Sequence, residues 1–339
     1  MKEKTCLALY SGGLDSMLAV KVMQEQGIKV MPLNFNTGFF FHAYIIENAR
    51  LKYKKKTPPG VEVEVIDISK EFFEMIRKPS YGFGRNMNPC IDCKILMLRK
   101  AKELMPAYDA GFVITGEVLG QRPMTQNSHS MKIIEKQSGL EGYLIRPLCA
   151  KNMEETEPEK LGWVDRNRLL DIKGRSRKEQ MRLARIYNIE GYAQQPAGGC
   201  ILTETSYSKR LEDFIQHNGT KEILQEDMLL LATGRHFRKG NVKFIIGRNS
   251  RDNDTILLYG KKTGAKVFDC IDAPGPIAIT FDEIDNEMKG FIAGAVASYS
   301  DIDKNKEANV DLTINNNKET LKVMPIDRQD LLNLRIDKE

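Results

Sequence analysis

The stretch Ser11-Gly12-Gly13-Leu14-Asp15-Ser16 decides how the first part of this 339-residue chain folds. It follows an apolar run over residues 6–10 that predicts a strand, and it precedes a helical pattern that ends at Gly27. A strand, a Gly-rich turn and a helix N-terminus present backbone N–H groups and the positive end of a helix dipole to an anion. The pattern therefore predicts a phosphate site. Since the turn contains no lysine, it is not a Walker-type loop.

The first 205 residues alternate strand-like and helical patterns. A helix is predicted over residues 91–105, and further strands are predicted over residues 28–34, 61–68, 111–116 and 143–148. This alternation predicts an α/β domain with a doubly wound parallel sheet and helices on both faces. Ligands bind at the carboxyl ends of the strands in such sheets, so Asn34, Asn36 and the pair Thr115-Gly116 are expected beside the Gly-rich turn.

The pattern changes near Tyr207, where Gly, Asn and Asp turns begin to separate short strand-like runs. Helices are predicted over residues 207–217 and 282–299, and strands over residues 242–247, 255–259, 277–281, 310–314 and 321–323. This second part is predicted to be an α+β module of ordinary domain size. The expected domains are therefore residues 1–205 and 206–339.

Composition describes an ordinary globular protein, with 41% apolar and 29% charged residues. No apolar run approaches the length of a membrane span, and the first residues do not resemble a signal peptide, so we expect a cytoplasmic protein. A net charge of +5 permits an anionic partner. Six cysteines in a reducing compartment point to metal binding or redox chemistry rather than to a disulfide framework.

Three of the cysteines form a candidate functional set. Cys90 and Cys93 open the helix predicted over residues 91–105, where the helix dipole is expected to lower their thiol pKa values, and Cys200 follows two glycines. Three thiolates suit a [4Fe–4S] cluster with one iron left open. They also suit a Zn2+ site, or a pair of thiols that carries a persulfide and then closes as a disulfide. Structural roles are predicted for the remaining cysteines, Cys6, Cys149 and Cys270.

Basic residues concentrate in three clusters, over residues 50–56, 166–185 and 235–248. Such clusters can neutralise several phosphates, and three of them in one chain favour a nucleic-acid partner. No helix-turn-helix, zinc-finger or RRM signature is present, which favours recognition of RNA shape. The residues predicted to contact RNA in the second and third clusters are Arg175, Arg177, Lys178, Arg235, Arg238 and Arg248.

Several motifs together resemble the PP-loop tRNA thiouridine synthases over about residues 1–205. The SGGLDS turn resembles the PP-loop of ATP pyrophosphatases, which cleave ATP between the α- and β-phosphates. Residues 115–126 are similar to the TGExLGQxxSQ segment of 4-thiouridine synthases, and residues 145–148 with Lys151 resemble their RPL segment. Asn88-Pro89 with Cys93 resembles the NPxxxC segment of bacterial 2-thiouridylases, with Cys200 as the second family cysteine.

The second part of the chain is similar to the RNA-binding domain of NFACT proteins. The matching stretches are residues 234–237, 246–249, 272–276 and 297–300. The ferredoxin-like, THUMP and rhodanese domains of 4-thiouridine synthases have no counterpart in this sequence. The NFACT-like module is therefore expected to bind tRNA in place of the THUMP domain.

The resemblance implies a HUP-like fold and an ATP-dependent tRNA sulfurtransferase. A uridine carbonyl oxygen would attack the α-phosphate, releasing pyrophosphate. Sulfur held on the open iron of a [4Fe–4S] cluster at Cys90, Cys93 and Cys200, which is expected in preference to a persulfide, would then displace AMP. The expected product is 4-thiouridine, with 2-thiouridine as the alternative. Inorganic sulfide or a cysteine desulfurase would supply the sulfur, and the resemblance suggests a homodimer without membrane association.

The resemblance also assigns roles to individual residues. The phosphates, with Mg2+, are assigned to Ser11, Gly12, Gly13, Asp15 and Ser16. The adenosine side is assigned to Asn34, Asn36, Thr115, Gly116 and Glu117. Catalytic roles are expected for Asp15, Cys93 and Cys200, metal ligation for Cys90, Cys93 and Cys200, and RNA contacts for Gln121, Arg122 and Lys151.

Two other functions are compatible with parts of the sequence. One is a PP-loop enzyme that amidates or ligates a small molecule and holds a structural zinc ion. The three basic clusters argue against it. The other is a non-catalytic RNA-binding factor that keeps ATP as a regulatory ligand. The intact SGGLDS turn, together with the cysteine set, argues against that function.

Overall fold

Strands and helices alternate through the first part of the chain, as the sequence predicts. The computed structural model describes residues 4–39, 44–47, 50–53, 62–192, 200–219, 223–315 and 317–338. The chain divides into two units, Met1–Ile201 and Leu202–Glu339. The strands described in the first unit are β1 (Thr5–Leu9), β2 (Lys29–Asn36), β3 (Tyr44–Glu47), β4 (Arg50–Tyr53), β5 (Glu64–Asp67), β6 (Phe112–Thr115) and β7 (Leu144–Ile145). The helices are α1 (Leu14–Gln24), α2 (Ser69–Arg77), α3 (Cys90–Leu104), α4 (Ser128–Ser138), α5 (Glu157–Lys160) and α6 (Lys178–Ile186).

Five of these strands form a parallel sheet in the order β5-β2-β1-β6-β7, within the residues described above. Cys6 and Ala8 of β1 face the core that α1 and α6 cover, whereas Leu7 and Leu9 face the core that α3 and α4 cover. Both faces of the sheet are thus buried under helices, which confirms the predicted α/β fold. Strands β3 and β4 form a separate antiparallel pair.

The register of this sheet brings three strand ends side by side. Leu9, the last residue of β1, pairs with Leu33 of β2 on one side and with Thr115 of β6 on the other. The Gly-rich turn begins at Ser11, one residue beyond the end of β1, so it lies at the carboxyl edge of the sheet beside the ends of β2 and β6. The strand predicted over residues 143–148 is shorter than expected, because Pro147 has no backbone N–H to continue the ladder beyond β7.

The second unit contains an antiparallel sheet between helices. Its described helices are α7 (Thr205–Asn218), α8 (Gln225–Leu231), α9 (Ser250–Thr263), α10 (Asn286–Tyr299) and α11 (Arg328–Asn333). Its described strands are β8 (Arg235–Lys239), β9 (Val242–Ile246), β10 (Lys266–Cys270), β11 (Ile277–Thr280), β12 (Ala308–Ile314) and β13 (Asn317–Val323). The strand order is β13-β12-β10-β11-β9-β8, with α10 and α11 on one face and α9 on the other. The predicted boundary between residues 205 and 206 falls at the start of α7.

The structure corrects one sequence-based assignment in this unit and adds two strands that were not predicted. The predicted strand over residues 255–259 is wrong, because these residues lie inside α9. The Asn249 side chain caps that helix by accepting the Asp252 N–H at 3.0 Å, and Gly264, at φ +67°, ends it. A short apolar run does not by itself distinguish a helix from a strand. Strands β8 and β10 were not predicted, because charged residues interrupt their apolar pattern.

In the parts of the chain that the structure describes, no helix combines the length and apolar character needed to cross a bilayer.

Candidate active site

The turn between β1 and α1 is built from short local hydrogen bonds. Gly12 adopts a φ of +69°, which favours glycine at this position. The Gly13 N–H donates to Ser11 Oγ at 3.3 Å, and Ser16 Oγ donates to the Gly13 carbonyl oxygen at 2.8 Å. The Ser11 and Ser16 hydroxyl oxygens are 3.3 Å apart. The turn thus gathers two hydroxyl groups at the N-terminus of an 11-residue helix, an arrangement suited to an anion.

Gly116 allows the end of β6 to approach this turn closely. A Cβ at residue 116 would lie 2.5 Å from the backbone carbonyl of Asp15 and 2.6 Å from the Ser16 nitrogen. Only glycine leaves room for that contact without moving one of the two backbones. The segment that follows β6 is therefore held directly against the start of α1.

Asp15 is joined to a distant part of the same unit by a chain of amide side chains. Gln121 Nε2 donates to Asp15 Oδ2 at 2.8 Å, and the buried Gln180 of α6 donates through Nε2 to Gln121 Oε1 at 3.1 Å. The other carboxylate oxygen, Asp15 Oδ1, is buried and has no hydrogen-bond partner in the described residues. This orphaned oxygen fits a role in holding a Mg2+ ion next to phosphate, since Mg2+ prefers carboxylate ligands.

Glu117 connects the same segment to the helix that carries the CxxC motif. Its carboxylate is buried, lies 3.4 Å from Arg146 Nε and 3.9 Å from Lys94 Nζ, and accepts the Thr115 hydroxyl at 2.9 Å. Burial opposes ionisation, but the charges of Lys94 and Arg146 outweigh it and lower the pKa of Glu117. Arg146 also bonds to Glu135 at 2.8 Å. Glu117 is therefore ionised, and it joins α3 to the segment that packs against the Gly-rich turn.

The CxxC motif lies in the first turn of α3, as predicted. Asn88 Nδ2 donates to Cys90 Sγ at 3.1 Å. Burial, together with the nearby Cys200 thiol, raises the pKa of Cys93 to about 12. The expected lowering of the pKa by the helix dipole is therefore wrong for Cys93, because loss of hydration outweighs the dipole. The largest cause of this rise is burial, and the charge of the Cys200 thiol adds to it.

The three cysteines do not form a ready metal site. In the described residues, no three His, Cys, Asp or Glu side chains are grouped so that they could hold a metal ion. Cys200 follows residues 193–199, which lie outside the described residues. A metal or cluster at Cys90, Cys93 and Cys200 therefore stays a prediction. Cys6, Cys149 and Cys270 are buried, in agreement with structural roles.

Other residues predicted for the adenosine side hold the strand ends in place. Asn34 Nδ2 donates to the Tyr10 carbonyl oxygen at 2.6 Å. Asn36 Nδ2 donates to Asp67 at 3.4 Å, while its Oδ1 accepts the Gly38 N–H at 3.0 Å. Both asparagines are buried at the carboxyl edge of the sheet. Their contact with a nucleotide stays a prediction.

The RNA contacts predicted in the first unit lie in different environments. Arg122, Lys151, Arg175 and Lys178 are exposed, and Arg177 is half-buried. Lys151 Nζ donates to the Asn167 carbonyl oxygen at 2.9 Å. Gln121 lies at the Gly-rich turn and bonds to Asp15, and its contact with RNA stays a prediction. Of the first basic cluster, residues 54–56 and the side chains of residues 50–53 lie outside the described part of the chain.

Ion pairs already engage two of the arginines predicted to bind RNA in the second unit. Arg238 forms a two-point pair with Asp213, at 2.6 and 3.0 Å. Arg248 Nε lies 2.7 Å from Asp252 Oδ2. Arg235 instead donates to the Gly247 carbonyl oxygen at 2.8 Å, and its guanidinium lies 4.9 Å from the centroid of the Tyr299 ring.

Sequence reasoning missed two residues that organise the site. Gln180 supports Gln121 from α6, and Asp92, inside the CxxC motif, accepts the backbone N–H groups of Ser80 and Tyr81 at 2.8 and 3.0 Å. Both are buried polar side chains, and such side chains are rarely left without a partner. Asp92 could have been suspected as a cap from its position in the first helical turn, whereas no local signal marked Gln180.

Comparisons with known proteins agree with the two-part organisation. Residues 2–158 match the family described as thiamine biosynthesis protein (ThiI), and residues 234–334 match the NFACT protein RNA binding domain. A probable tRNA sulfurtransferase of Thermococcus kodakarensis is 29% identical over 151 residues, which are 44% of this chain and 38% of that protein. The chain thus spans well under half the length of that curated relative.

Two further similarities come from a sequence and a solved structure. The tRNA-specific 2-thiouridylase MnmA of Petrotoga mobilis is 26% identical over 280 residues, which cover 74% of this chain and 68% of that protein. The crystal structure of a 4-thiouridine synthetase–RNA complex with bound ATP aligns at a TM-score of 0.32 and 17% identity. That alignment covers 42% of this chain and 36% of the other.

Proposed function

We propose that this chain, whose residues 2–158 belong to the ThiI family and whose residues 234–334 form an NFACT-type RNA-binding domain, is an ATP-dependent tRNA sulfurtransferase. One structural observation carries the proposal. The segment after β6 contacts the PP-loop through Gly116 and Gln121, and it contacts the CxxC helix through Glu117. The Gly-rich turn and the helix that carries the CxxC motif therefore both contact one short segment.

The Gly-rich turn and the side chains around it bind ATP for the adenylation step. The helix N-terminus and the Ser11 and Ser16 hydroxyls bind the phosphates of ATP, and Gln121 fixes the Asp15 carboxylate beside them. Asp15 would hold Mg2+ through its orphaned oxygen, and the ion would supply positive charge to the polyphosphate. A uridine carbonyl oxygen then attacks the α-phosphorus, the bond to the β-phosphate oxygen breaks, and pyrophosphate leaves.

Cys93 and Cys200 deliver the sulfur, because one of them carries it as a persulfide. The terminal persulfide sulfur attacks the adenylated carbon, and AMP departs with the former carbonyl oxygen. The second thiol then attacks the sulfur of the persulfide-bearing cysteine, which breaks the S–S bond to the nucleoside sulfur. Thiouridine leaves, and a Cys93–Cys200 disulfide remains for an external dithiol to reduce. A cysteine desulfurase would form the persulfide by transferring the outer sulfur of its own persulfide to a free thiol. Inorganic sulfide would form it by attacking the Cys93–Cys200 disulfide, which is reduced as the other thiol leaves.

A [4Fe–4S] cluster and a Zn2+ ion at the cysteines would give the protein different visible absorption spectra. The visible spectrum of anaerobically purified protein separates them from the persulfide route. A broad absorption near roughly 400 nm that dithionite bleaches indicates an iron–sulfur cluster. A colourless protein that contains stoichiometric zinc supports the Zn2+ site. A colourless, metal-free protein that remains active supports the persulfide route.

We expect 4-thiouridine as the product, with 2-thiouridine as the alternative. Both need the same adenylation and differ in which carbonyl faces the α-phosphate. The proposal is tested with the purified full chain, ATP, Mg2+ and unthiolated tRNA, by measuring pyrophosphate release. Release should depend on tRNA and fall at least about 100-fold in Asp15→Asn, while Asp171→Asn, at an exposed position of the same unit, should match the wild type. The same rate of pyrophosphate release with and without tRNA would contradict the proposal.

A further inference from the structure

A loop between α2 and α3 exposes two large aromatic side chains next to the cysteines. Tyr81 and Phe83 have 38% and 41% of their surface exposed, and they are separated by Gly82 at φ +69°. Large aromatic residues gain free energy by burial, so two of them exposed on one short loop indicate a surface that a ligand covers.

The loop is fixed to the CxxC motif and not only adjacent to it in sequence. Asp92, between the two cysteines, accepts the Ser80 and Tyr81 N–H groups at 2.8 and 3.0 Å. The Gly84 N–H donates to the Asn88 carbonyl oxygen at 2.9 Å, and the Asn88 side chain donates to Cys90 Sγ. Backbone hydrogen bonds on both sides of Phe83 therefore set the position of the aromatic pair relative to the thiols.

The opposite side of the loop packs against the segment that reaches the PP-loop. A Cβ at Gly84 would lie 2.5 Å from Met124 Sδ, so only glycine fits there without a shift of the methionine. Met124 follows Gln121, which bonds to Asp15, by three positions. The aromatic pair is thus held between the thiols and the segment that contacts the phosphate-binding turn.

The charge of the loop suits a polyanion. Lys78 and Arg85 are exposed at either side of the aromatic pair, and residues 78–91 contain no Asp or Glu. Exposed aromatic rings with flanking cations are the combination that binds unpaired nucleotides, because bases stack on the rings and phosphates pair with the cations.

We propose that Tyr81 and Phe83 form a stacking platform for an unpaired base of the RNA substrate, with Arg85 and Lys78 contacting its phosphates. The platform would hold the reacting uridine or its immediate neighbour after it leaves the helical stack, so that its carbonyl lies between the PP-loop and the thiols. The inference rests on the proposed function for the identity of the RNA. In this role the aromatic residues position the substrate and take no part in the chemistry.

A fluorescence experiment tests the contact without any need for turnover. Phe83→Trp places an indole on the platform, and Tyr143→Trp places one at a matched position of the same unit, where the native tyrosine is 40% exposed. The single native tryptophan, Trp163, gives the same background in both variants. Unthiolated tRNA should quench the added emission of Phe83→Trp strongly and that of Tyr143→Trp little, because stacking on a base quenches indole. Normal tRNA binding by anisotropy with unchanged Phe83→Trp emission would overturn the platform.

Kinetics of leucine and aromatic variants provide the second measurement. Phe83→Leu and Tyr81→Leu should each raise KM for tRNA by about tenfold, the loss expected for one stacked base, with KM for ATP unchanged. Phe83→Tyr and Tyr81→Phe should restore the wild-type KM, and Tyr143→Leu should not alter it. Leucine variants with wild-type KM for tRNA would refute the platform and leave the proposed function intact. If tRNA quenches the Phe83→Trp variant but the wild-type protein releases no pyrophosphate, the proposed function alone is refuted.

Discussion

Gln121 Nε2 donates a 2.8 Å hydrogen bond to Asp15 Oδ2, although 106 positions separate the two residues in the sequence. The bond joins the two most recognisable motifs of the first unit, the SGGLDS turn and the segment over residues 115–126. Because Gln180 in turn supports Gln121, the position of the Asp15 carboxylate depends on α6 as well as on α1.

Gln121→Glu should weaken ATP binding, because it places a second carboxylate where an amide donor now bonds to Asp15. We expect Kd for ATP to rise at least about tenfold, the effect of losing one hydrogen bond to a charged group. Gln137→Glu, at an exposed position of α4, makes the same change of charge and should bind ATP normally. Isothermal titration calorimetry measures both, and normal affinity in Gln121→Glu would show that Asp15 does not need this donor.

Gly116→Ala should disrupt the phosphate-binding turn, because the added methyl would lie 2.5 Å from the Asp15 backbone carbonyl. We expect a loss of ATP affinity of about 100-fold or more, since the start of α1 must move. Gly290→Ala is the control. A Cβ there has no heavy atom within 4 Å, and alanine in a helix should raise the free energy of unfolding by about 0.5–1 kcal/mol. ATP binding that survives in Gly116→Ala would refute the described packing.

Cys93 should be a slow nucleophile in the resting protein, because burial raises the pKa of its thiol to about 12. Alkylation by iodoacetamide depends on the thiolate, so its rate should rise about tenfold for each pH unit between pH 7 and 9.5. Mass spectrometry of the peptide that contains Cys93 measures this rate in the intact chain. A rate that reaches a plateau below pH 9 would indicate a thiol with a lowered pKa instead.

His236 should make the second unit sensitive to acid. Burial, with Lys243 and Arg210 nearby, lowers its pKa well below the usual value, and its Nε2 bonds to the Thr233 carbonyl oxygen at 2.9 Å. The unfolded chain takes up a proton below about pH 6.5 and the folded unit does not, so the free energy of unfolding falls as the pH falls. The slope should approach about 1.4 kcal/mol per pH unit.

Hydrogen exchange of peptides from β8 and β9, corrected for intrinsic rates, measures that stability in the full chain at pH 7.5 and 5.5. His236→Gln retains an N–H donor but does not titrate, so its loss of protection between the two pH values should be smaller than that of the wild type. Equal losses in the two proteins would assign the acid sensitivity to other groups.

Local patterns predicted the five parallel strands of the first unit and the helices α1 and α3, because each of these has its own start or end signal. The helices α2, α4, α5 and α6 and the β3–β4 pair were not predicted. The Gly-rich turn, the end of β6 near Thr115 and the helix at Cys90 are found where the sequence places them, whereas β2 continues to Asn36, two residues beyond the predicted strand. The contact of Gly116 with Asp15 and the support from Gln180 depend on tertiary packing, which no local pattern encodes. The pKa of Cys93 was mispredicted for the same reason, because burial is not readable from a CxxC spacing.

Prediction was less successful in the second unit, where competing signals had similar strength. Residues 255–259 are β-branched and aromatic enough to suggest a strand, but the Asn249 cap and Gly264 define a longer helix around them. Strand β8 begins and ends with basic residues, which conceal its single buried phenylalanine, Phe237. The basic cluster was visible in sequence, whereas the pairing of Arg238 with Asp213 became visible only in the fold.

The central claim is that the PP-loop and the cysteines together replace a uridine oxygen of tRNA with sulfur. Nucleoside mass spectrometry of bulk tRNA from cells with and without the gene tests it most directly. The account predicts that 4-thiouridine disappears without the gene and returns with the wild-type gene, but not with Cys93→Ser; loss of 2-thiouridine instead would move the reaction to the other carbonyl. If every thiolated nucleoside persists at its normal level in cells that lack the gene, the account is contradicted.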